Sequence, residues 1–153
     1  MDWTKGYTAS YYACIVDPIT WRDLERFELE SGSINRTDSG LLQSADISCI
    51  DYEHGSDKWI RIWMDTEQPG TGEHNAIFTG LTSTPKFETK GGGYTDCKIQ
   101  CYSVLKPAED VPPPLGYYAA KGLISGDIIR NLLDPCPAPL IIDEDTPRLA
   151  QHI

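Results

Sequence analysis

Three histidines (His54, His74, His152), five cysteines and the acidic triplet Asp143-Glu144-Asp145 are the residues with the means for proton, redox or metal chemistry. A catalytic or ligating histidine needs a second group to orient it. His54 and His74 fall in stretches that read as turns or loops, and His152 sits beside the C-terminal residue. His74 next to Glu73 therefore reads as a solvated pair rather than a metal site. Cys97 and Cys101 are spaced too widely for a CxxC knuckle, and no His-x-x-x-His completes a zinc site. The acidic triplet lacks the twelve-residue calcium-loop pattern and reads as a solvated turn. Asn35-Arg36-Thr37 matches a glycosylation acceptor with no secretion signal to support it. No GxSxG, GxxxxGK[ST], GxGxxG or HExxH is present. A hydrolase built on a spatial pair of carboxylates ranks last, because nothing selects a pair. The expectation is a protein that is not an enzyme, with no cofactor and no metal.

The aromatic residues are more informative. There are four Trp and eight Tyr. In Trp59-Ile60-Arg61-Ile62-Trp63 the alternation puts two isoleucines on one face and a Trp-Arg-Trp set on the other. That second face suits an interface or a cation–π stack better than an oily core. Trp, Tyr and Arg carry much of the binding energy at protein interfaces. Candidate interface residues are therefore Trp59, Arg61, Trp63, Tyr117 and Tyr118. The alternative is a carbohydrate-binding β-sandwich that uses Trp59, Trp63 and nearby tyrosines as a stacking platform.

Composition narrows the partners. In 153 residues, 13 basic and 23 acidic side chains give a net charge of −10. Phosphate-coating proteins need clustered Lys and Arg, so duplex binding and anionic membrane surfaces are both disfavoured. No run approaches the roughly 20 apolar residues of a membrane span. The first residues carry no basic head with an apolar run, so a secretory signal is not expected. An odd and sparse set of cysteines reads as buried free thiols in a reducing compartment.

The elements that would position these residues have period two for most of the length. Tyr7 to Val16 reads as a strand, Asp17-Pro18-Ile19-Thr20 as a type I turn, and Trp21 to Glu30 as its partner, with Phe27 and Leu29 opposite Arg26, Glu28 and Glu30. Ser31 to Gln43 reads as a loop by composition, with Ile34 beginning or ending a strand within it. Ser44 to Tyr52 alternates, with Ala45, Ile47 and Cys49 opposite Asp46 and Ser48. Lys58 to Asp65 is a strand covered on both faces, followed by a polar loop from Thr66 to Asn75. Ala76 to Thr84 is a strand with a bulge or bend at Gly80. Pro85 to Thr89 and Tyr94 to Leu105 flank a Gly91-Gly92-Gly93 tip, and Cys97, Ile99 and Cys101 share a core face. From Lys106 the chain turns Pro-rich and polyproline-like. One helix follows near Ile128 to Leu133, with Ser125 as its cap and Pro135 as its stop. Leu140-Ile141-Ile142 reads as a short strand. The fold class is mainly β: an antiparallel barrel or sandwich of about seven strands with one short C-terminal helix. Residues 1–105 form the β-barrel domain and residues 106–153 a crossover, helix and extension.

The order of several segments carries a resemblance. Thr20-Trp21-Arg22-Asp23-Leu24, Ser31-Gly32-Ser33-Ile34-Asn35-Arg36 and Gln43-Ser44-Ala45-Asp46-Ile47 come first. Trp59-Ile60-Arg61-Ile62, Ile77-Phe78-Thr79-Gly80-Leu81, Cys101-Tyr102-Ser103-Val104-Leu105-Lys106-Pro107 and Ile128-Ile129-Arg130-Asn131-Leu132-Leu133 follow. In that order they resemble the N-terminal part of the baseplate hub, or tail-tip, proteins of long-tailed bacteriophages and prophages. The resemblance implies a small barrel similar to the tail-tube fold, in a ring where three chains of two barrels each continue a six-fold tube. It implies partners that are copies of itself and other tail proteins, DNA that passes without specific binding, and no membrane or small-molecule substrate. It places the protein in the virion tail, assembled in the bacterial cytoplasm. The Lys106-Pro107 crossover then leads toward a second barrel, which the chain, ending at Ile153, does not contain. An acidic wall would repel a passing phosphate backbone. On that reading Glu28, Glu30 and Asp46 are candidate lumen-facing acids.

Overall fold

The computed structural model describes residues 4–37, 43–50, 52–89, 95–111, 113–136, 138–139 and 148–149. The glycine tip at 91–93, the strand expected at 140–142, the acidic triplet and His152 lie outside the described residues. Seven strands and two helices follow in order: β1 Thr8–Val16, β2 Asp23–Arg36, β3 Gln43–Ile50, β4 Trp59–Gln68, β5 Thr71–Thr82, β6 Lys86–Thr89, β7 Thr95–Ser103, α1 Lys106–Asp110 and α2 Ser125–Leu132. The chain divides into two compact units, Met1–Ser103 and Val104–Ile153.

All strand pairings in the first unit are antiparallel. The sheet runs β3-β2-β1-β4-β5-β7-β6, and β7 returns to pair with β3. One edge of β7 meets β3, from Ser44↔Tyr102 to Ile50↔Asp96. Its other edge meets β6 and then β5. The β5–β7 seam holds only the pairs Gly80↔Ser103, Leu81↔Tyr102 and Thr82↔Cys101, so the circuit closes without forming an even barrel. The seam depends on Gly80, where a Cβ would lie 2.1 Å from the Tyr102 carbonyl oxygen and 2.6 Å from the Phe78 ring. The bulge expected at Gly80 is three residues away. Ile62 pairs with Phe78 and Trp63 with Ala76, which leaves Ile77 as the extra residue.

Alternation fills the interior as the sequence predicts. Ala45, Ile47 and Cys49 of β3, Ile60 and Ile62 of β4, and Cys97, Ile99 and Cys101 of β7 form one cluster with Ala13, Ile15, Tyr52 and Phe78. Burying each isoleucine contributes roughly 1.5–3 kcal/mol. Cys14, Cys49, Cys97 and Cys101 are buried free thiols, and Cys136 is half-buried. Burial pushes the Cys49 and Cys101 thiols up to about 12, with Cys97 adding to the first and Asp46 to the second.

Four local expectations need correction. The Asp17 turn closes one residue later than a type I turn, because the Trp21 N–H donates to the Asp17 carbonyl at 2.9 Å. The Asp17 carboxylate accepts the N–H of Ile19 at 2.8 Å, which holds it below its ordinary 3.8. Trp21 takes a left-handed φ of 58°. Second, Ser31 to Arg36 is not loop but the second half of β2, since pairing with β3 overrides the weak intrinsic preference of Ser, Gly and Asn. Third, the polar stretch after Asp65 is a hairpin. Gln68 pairs with Thr71 across Pro69-Gly70, and Gly70 has φ 85°, the Pro-Gly arrangement of a type II turn. Polar side chains on both faces of this hairpin hide its period.

The fourth correction concerns the second unit. The Pro-rich crossover contains α1, because Pro107 falls in the first turn, where a helix tolerates proline. Lys106 Nζ meets Asp110 at 2.8 Å and Glu109 at 3.5 Å along one side of it. In α2 the N-cap is Ile124, and Ser125 is the first helical residue. An Ile124↔Arg148 bridge lies beside it, and Arg148 Nη1 donates to the Gly122 carbonyl at 2.8 Å. Tyr117 and Tyr118 are exposed after Gly116, whose φ is 83°.

Candidate functional site

The outer face of β2, β1, β4 and β5 carries a continuous row of aromatic and charged side chains. Register builds it. Cys14 of β1 stands between Arg26 of β2 and Arg61 of β4, and Tyr12 stands between Glu28 and Trp63. At the centre is Asp23, the first residue of β2. Its two carboxylate oxygens accept Arg61 Nη1 at 2.5 Å and Trp63 Nε1 at 2.8 Å. The Arg61 guanidinium also lies 5.7 Å from the Trp63 ring centroid, within cation–π range, and donates to the Trp21 carbonyl at 3.3 Å. Trp21 packs on Trp59 with centroids 5.3 Å apart, so the left-handed residue is held from both its ring and its carbonyl.

On the other side of Trp63, the His74 ring lies parallel at 4.1 Å. His74 Nδ1 meets Asp65 Oδ1 in a short contact, and its ring also faces Tyr12 at 6.3 Å. Burial, then Asp65, raises the Tyr12 hydroxyl above its ordinary 10.0. Arg26 covers Tyr12 at 3.8 Å and pairs with Glu28 at 2.9 Å. The row thus runs from Glu28 through Arg26, Tyr12, His74, Trp63, Arg61 and Asp23 to Trp21 and Trp59.

This arrangement is suited to holding a rigid, amphipathic surface. Trp59 is 8% exposed and serves as packing, while Trp63 and Arg61 are partly covered by their own neighbours. Arg61 and Asp23 are 14% and 29% exposed in their side chains, so this ion pair is screened less than a surface one. Cys14 beneath the two arginines is raised by burial and by Asp23, against the pull of Arg26 and Arg61.

The candidate acids lie on the same outer face. Glu28 is in the row. Glu30 is the extra residue of a bulge between Leu29↔Cys49 and Ser31↔Ser48, and it accepts Ser48 Oγ at 3.3 Å. Asp46 is exposed at a polar cleft of about 410 Å3 shared with Lys86, Lys98 and Gln100. Tyr117 and Tyr118 belong to the second unit. Asp23, Tyr12, His74, Arg26 and Trp21 are the members that sequence reasoning did not single out. His74 sits on β5 rather than in a loop, and only the Pro69-Gly70 turn signal would have placed it opposite Asp65. His54, in its turn, meets Glu25 Oε2 at 3.3 Å and the edge of Tyr52 at 5.2 Å. Among the described residues no group of three His, Cys, Asp or Glu is placed to hold a metal ion, and no helix is long and apolar enough to cross a membrane.

No known protein family matches the sequence, and no curated protein aligns with it. Solved structures do share the fold. A tail protein from Neisseria meningitidis MC58 aligns over 94% of this chain and 40% of its own length, with 16% identity and a TM-score of 0.59. The 43 kDa tail protein of prophage MuSo2 from Shewanella oneidensis aligns over 95% of this chain and 43% of its own, with 10% identity and a TM-score of 0.58. The chain thus spans about two-fifths of the length of these tail proteins, and what it shares with both is the fold.

Proposed function

We propose that this chain is a structural component of a phage or prophage tail, a baseplate hub or tail-tip domain that forms part of a ring continuing the tail tube. The observation that carries the reading is the fold shared with two tail proteins over 94% and 95% of this chain. The outer-face row supports it, since fixed aromatic and Arg side chains are what a permanent neighbour packs against. Its partners are copies of itself and other tail proteins, and it assembles in the host cytoplasm, where its thiols stay reduced. The sugar-platform reading is disfavoured because Trp59 is buried and one face of Trp63 is occupied by His74.

Within that ring the aromatic and Arg part of the row meets the neighbouring subunit, while Glu28 at the end of the row, Glu30 and Asp46 face the lumen and repel the passing DNA. Replacing all three by Lys should raise affinity for duplex DNA in a salt-dependent way, and unchanged affinity would remove the lumen assignment. The ring itself is tested by negative-stain electron microscopy of the purified chain at rising concentration. Annular particles with an open centre are expected; a field of small compact particles at every concentration overturns the reading.

A further inference from the structure

We propose that Cys49 of β3 and Cys97 of β7 are a latent cross-strand disulfide, reduced where the chain folds and closed by exchange with a low-molecular-weight disulfide once the surroundings turn oxidising. The two residues are Cα partners in the β3–β7 ladder, and both are fully buried in the interior cluster. Opposite Cβ atoms of an antiparallel pair lie roughly 4.5–5.5 Å apart, and bridged cysteines need Cα atoms within about 4.4–6.8 Å of each other. The register therefore meets the demand with little backbone movement. The Cys49 thiol already hydrogen-bonds the Cys97 sulfur and lies 3.6 Å from the Cys97 carbonyl oxygen. On the opposite face, Ser48 Oγ donates to Asp96 Oδ1 at 2.6 Å and ties the same two strands. The bond depends on this register alone and is independent of the tail reading.

Geometry also selects the pair. Among the interior positions of β3, Ala45 faces Cys101 and Ile47 faces Ile99, so Cys49 is the one set opposite a thiol. Cys101 stands four residues from Cys97 along β7, roughly 13 Å at 3.3 Å per residue. Cys14 is on β1, which pairs with β2 and β4, and Cys136 belongs to the second unit. Exchange takes two steps. The Cys97 thiolate attacks one sulfur of the reagent and releases the other half as a free thiol. Cys49, deprotonated in turn, attacks the Cys97 sulfur of the mixed disulfide and expels the second half. One S–S bond breaks in the reagent and one forms in the protein, and the two cysteine protons end on the two released thiols. Cys97 reacts first because the hydrogen bond from Cys49 favours its thiolate and opposes that of Cys49. Burial raises both thiols, which slows the exchange and protects the pair from brief exposure to oxidant. Within the described ladder only Ile50↔Asp96 lies beyond the pair, and strand ends open most readily to a small reagent.

The two cysteines lie 48 positions apart, so the bond closes a loop that holds β4, β5 and β6. The test incubates the whole reduced chain, folded and well below its melting temperature, with oxidised glutathione for a day. Remaining thiols are then alkylated, and the product is read by intact mass and non-reducing peptide mapping. It should have lost two hydrogens, join the Cys49 and Cys97 peptides, and keep its β-sheet circular dichroism. Its melting temperature should rise by about 10 °C and fall back when a dithiol reductant is added, because the closed loop restricts the unfolded chain. Cys101→Ser should still form the bond, and Cys97→Ser should lose no hydrogens under the same treatment. If a serine variant does not fold, the wild-type peptide map decides alone. No loss of hydrogens from the folded protein, a glutathione adduct that persists on Cys49 or Cys97, a bond to Cys14, Cys101 or Cys136, or a bond that forms only in urea would each overturn the proposal.

Discussion

The two faces of β4 solve the same problem with different chemistry. Inside, Ile60 and Ile62 are 0% and 2% exposed and are fixed by packing against neighbours of similar shape. Outside, Arg61 and Trp63 are fixed by direction, through the two oxygens of Asp23, the Arg61 cation near an indole, and an imidazole stacked on it. Packing tolerates small repacking but not loss of volume. A polar array tolerates exposure but not the loss of one partner. The inner face therefore sets whether the protein folds, and the outer face sets what shape it shows to others.

The strongest way to break this contrast is from inside. Ile60→Ala should lower the unfolding free energy by about 2–5 kcal/mol, read from urea melts, and should remove any assembly together with the fold. From outside, Asp23→Ala strands the Arg61 guanidinium and the Trp63 N–H. It should cost about 1–3 kcal/mol while the protein stays folded. Assembly should suffer more than stability in that variant, and an equal loss of both would erase the distinction between faces.

Alkaline pH probes the interior without mutation. Cys49, Cys101 and Tyr52 are all pushed up to about 12 by burial, from ordinary values of 9.0 for the thiols and 10.0 for the phenol. Groups with raised values favour the folded state fully below the ordinary value and lose that contribution as pH rises toward the raised one. The melting temperature should therefore be insensitive to these groups up to about pH 9 and fall between pH 9 and 12, less steeply in Tyr52→Phe. The smallest effect belongs to the outer stack. His74→Ala removes one ring contact with Trp63 and should cost about 0.5–1.5 kcal/mol, visible as a change in tryptophan emission.

The inner face was the legible one. Ala45-x-Ile47-x-Cys49 and Cys97-x-Ile99-x-Cys101 announce their buried sides because apolar alternation is a local property of each strand. The second half of β2 was not legible, since Ser31-Gly32-Ser33 carries turn chemistry and becomes strand only through its partner β3. The hairpin at Pro69-Gly70 was hidden for a related reason: both its faces are polar, so only the turn itself marks it. The outer row was half legible. Trp59, Arg61 and Trp63 lie within five residues, whereas Asp23 and His74 reach them only through cross-strand register. A single bulge at Ile77 changes which residue of β5 meets Trp63.

The measurement that bears most directly on the tail-ring proposal is the solution mass of the chain, by light scattering behind a sizing column over a concentration series. A mass rising to three or six times 17.0 kDa is the predicted result, with Asp23→Ala shifting that rise to higher concentration. A mass of 17.0 kDa throughout, in wild type and variant alike, would contradict it.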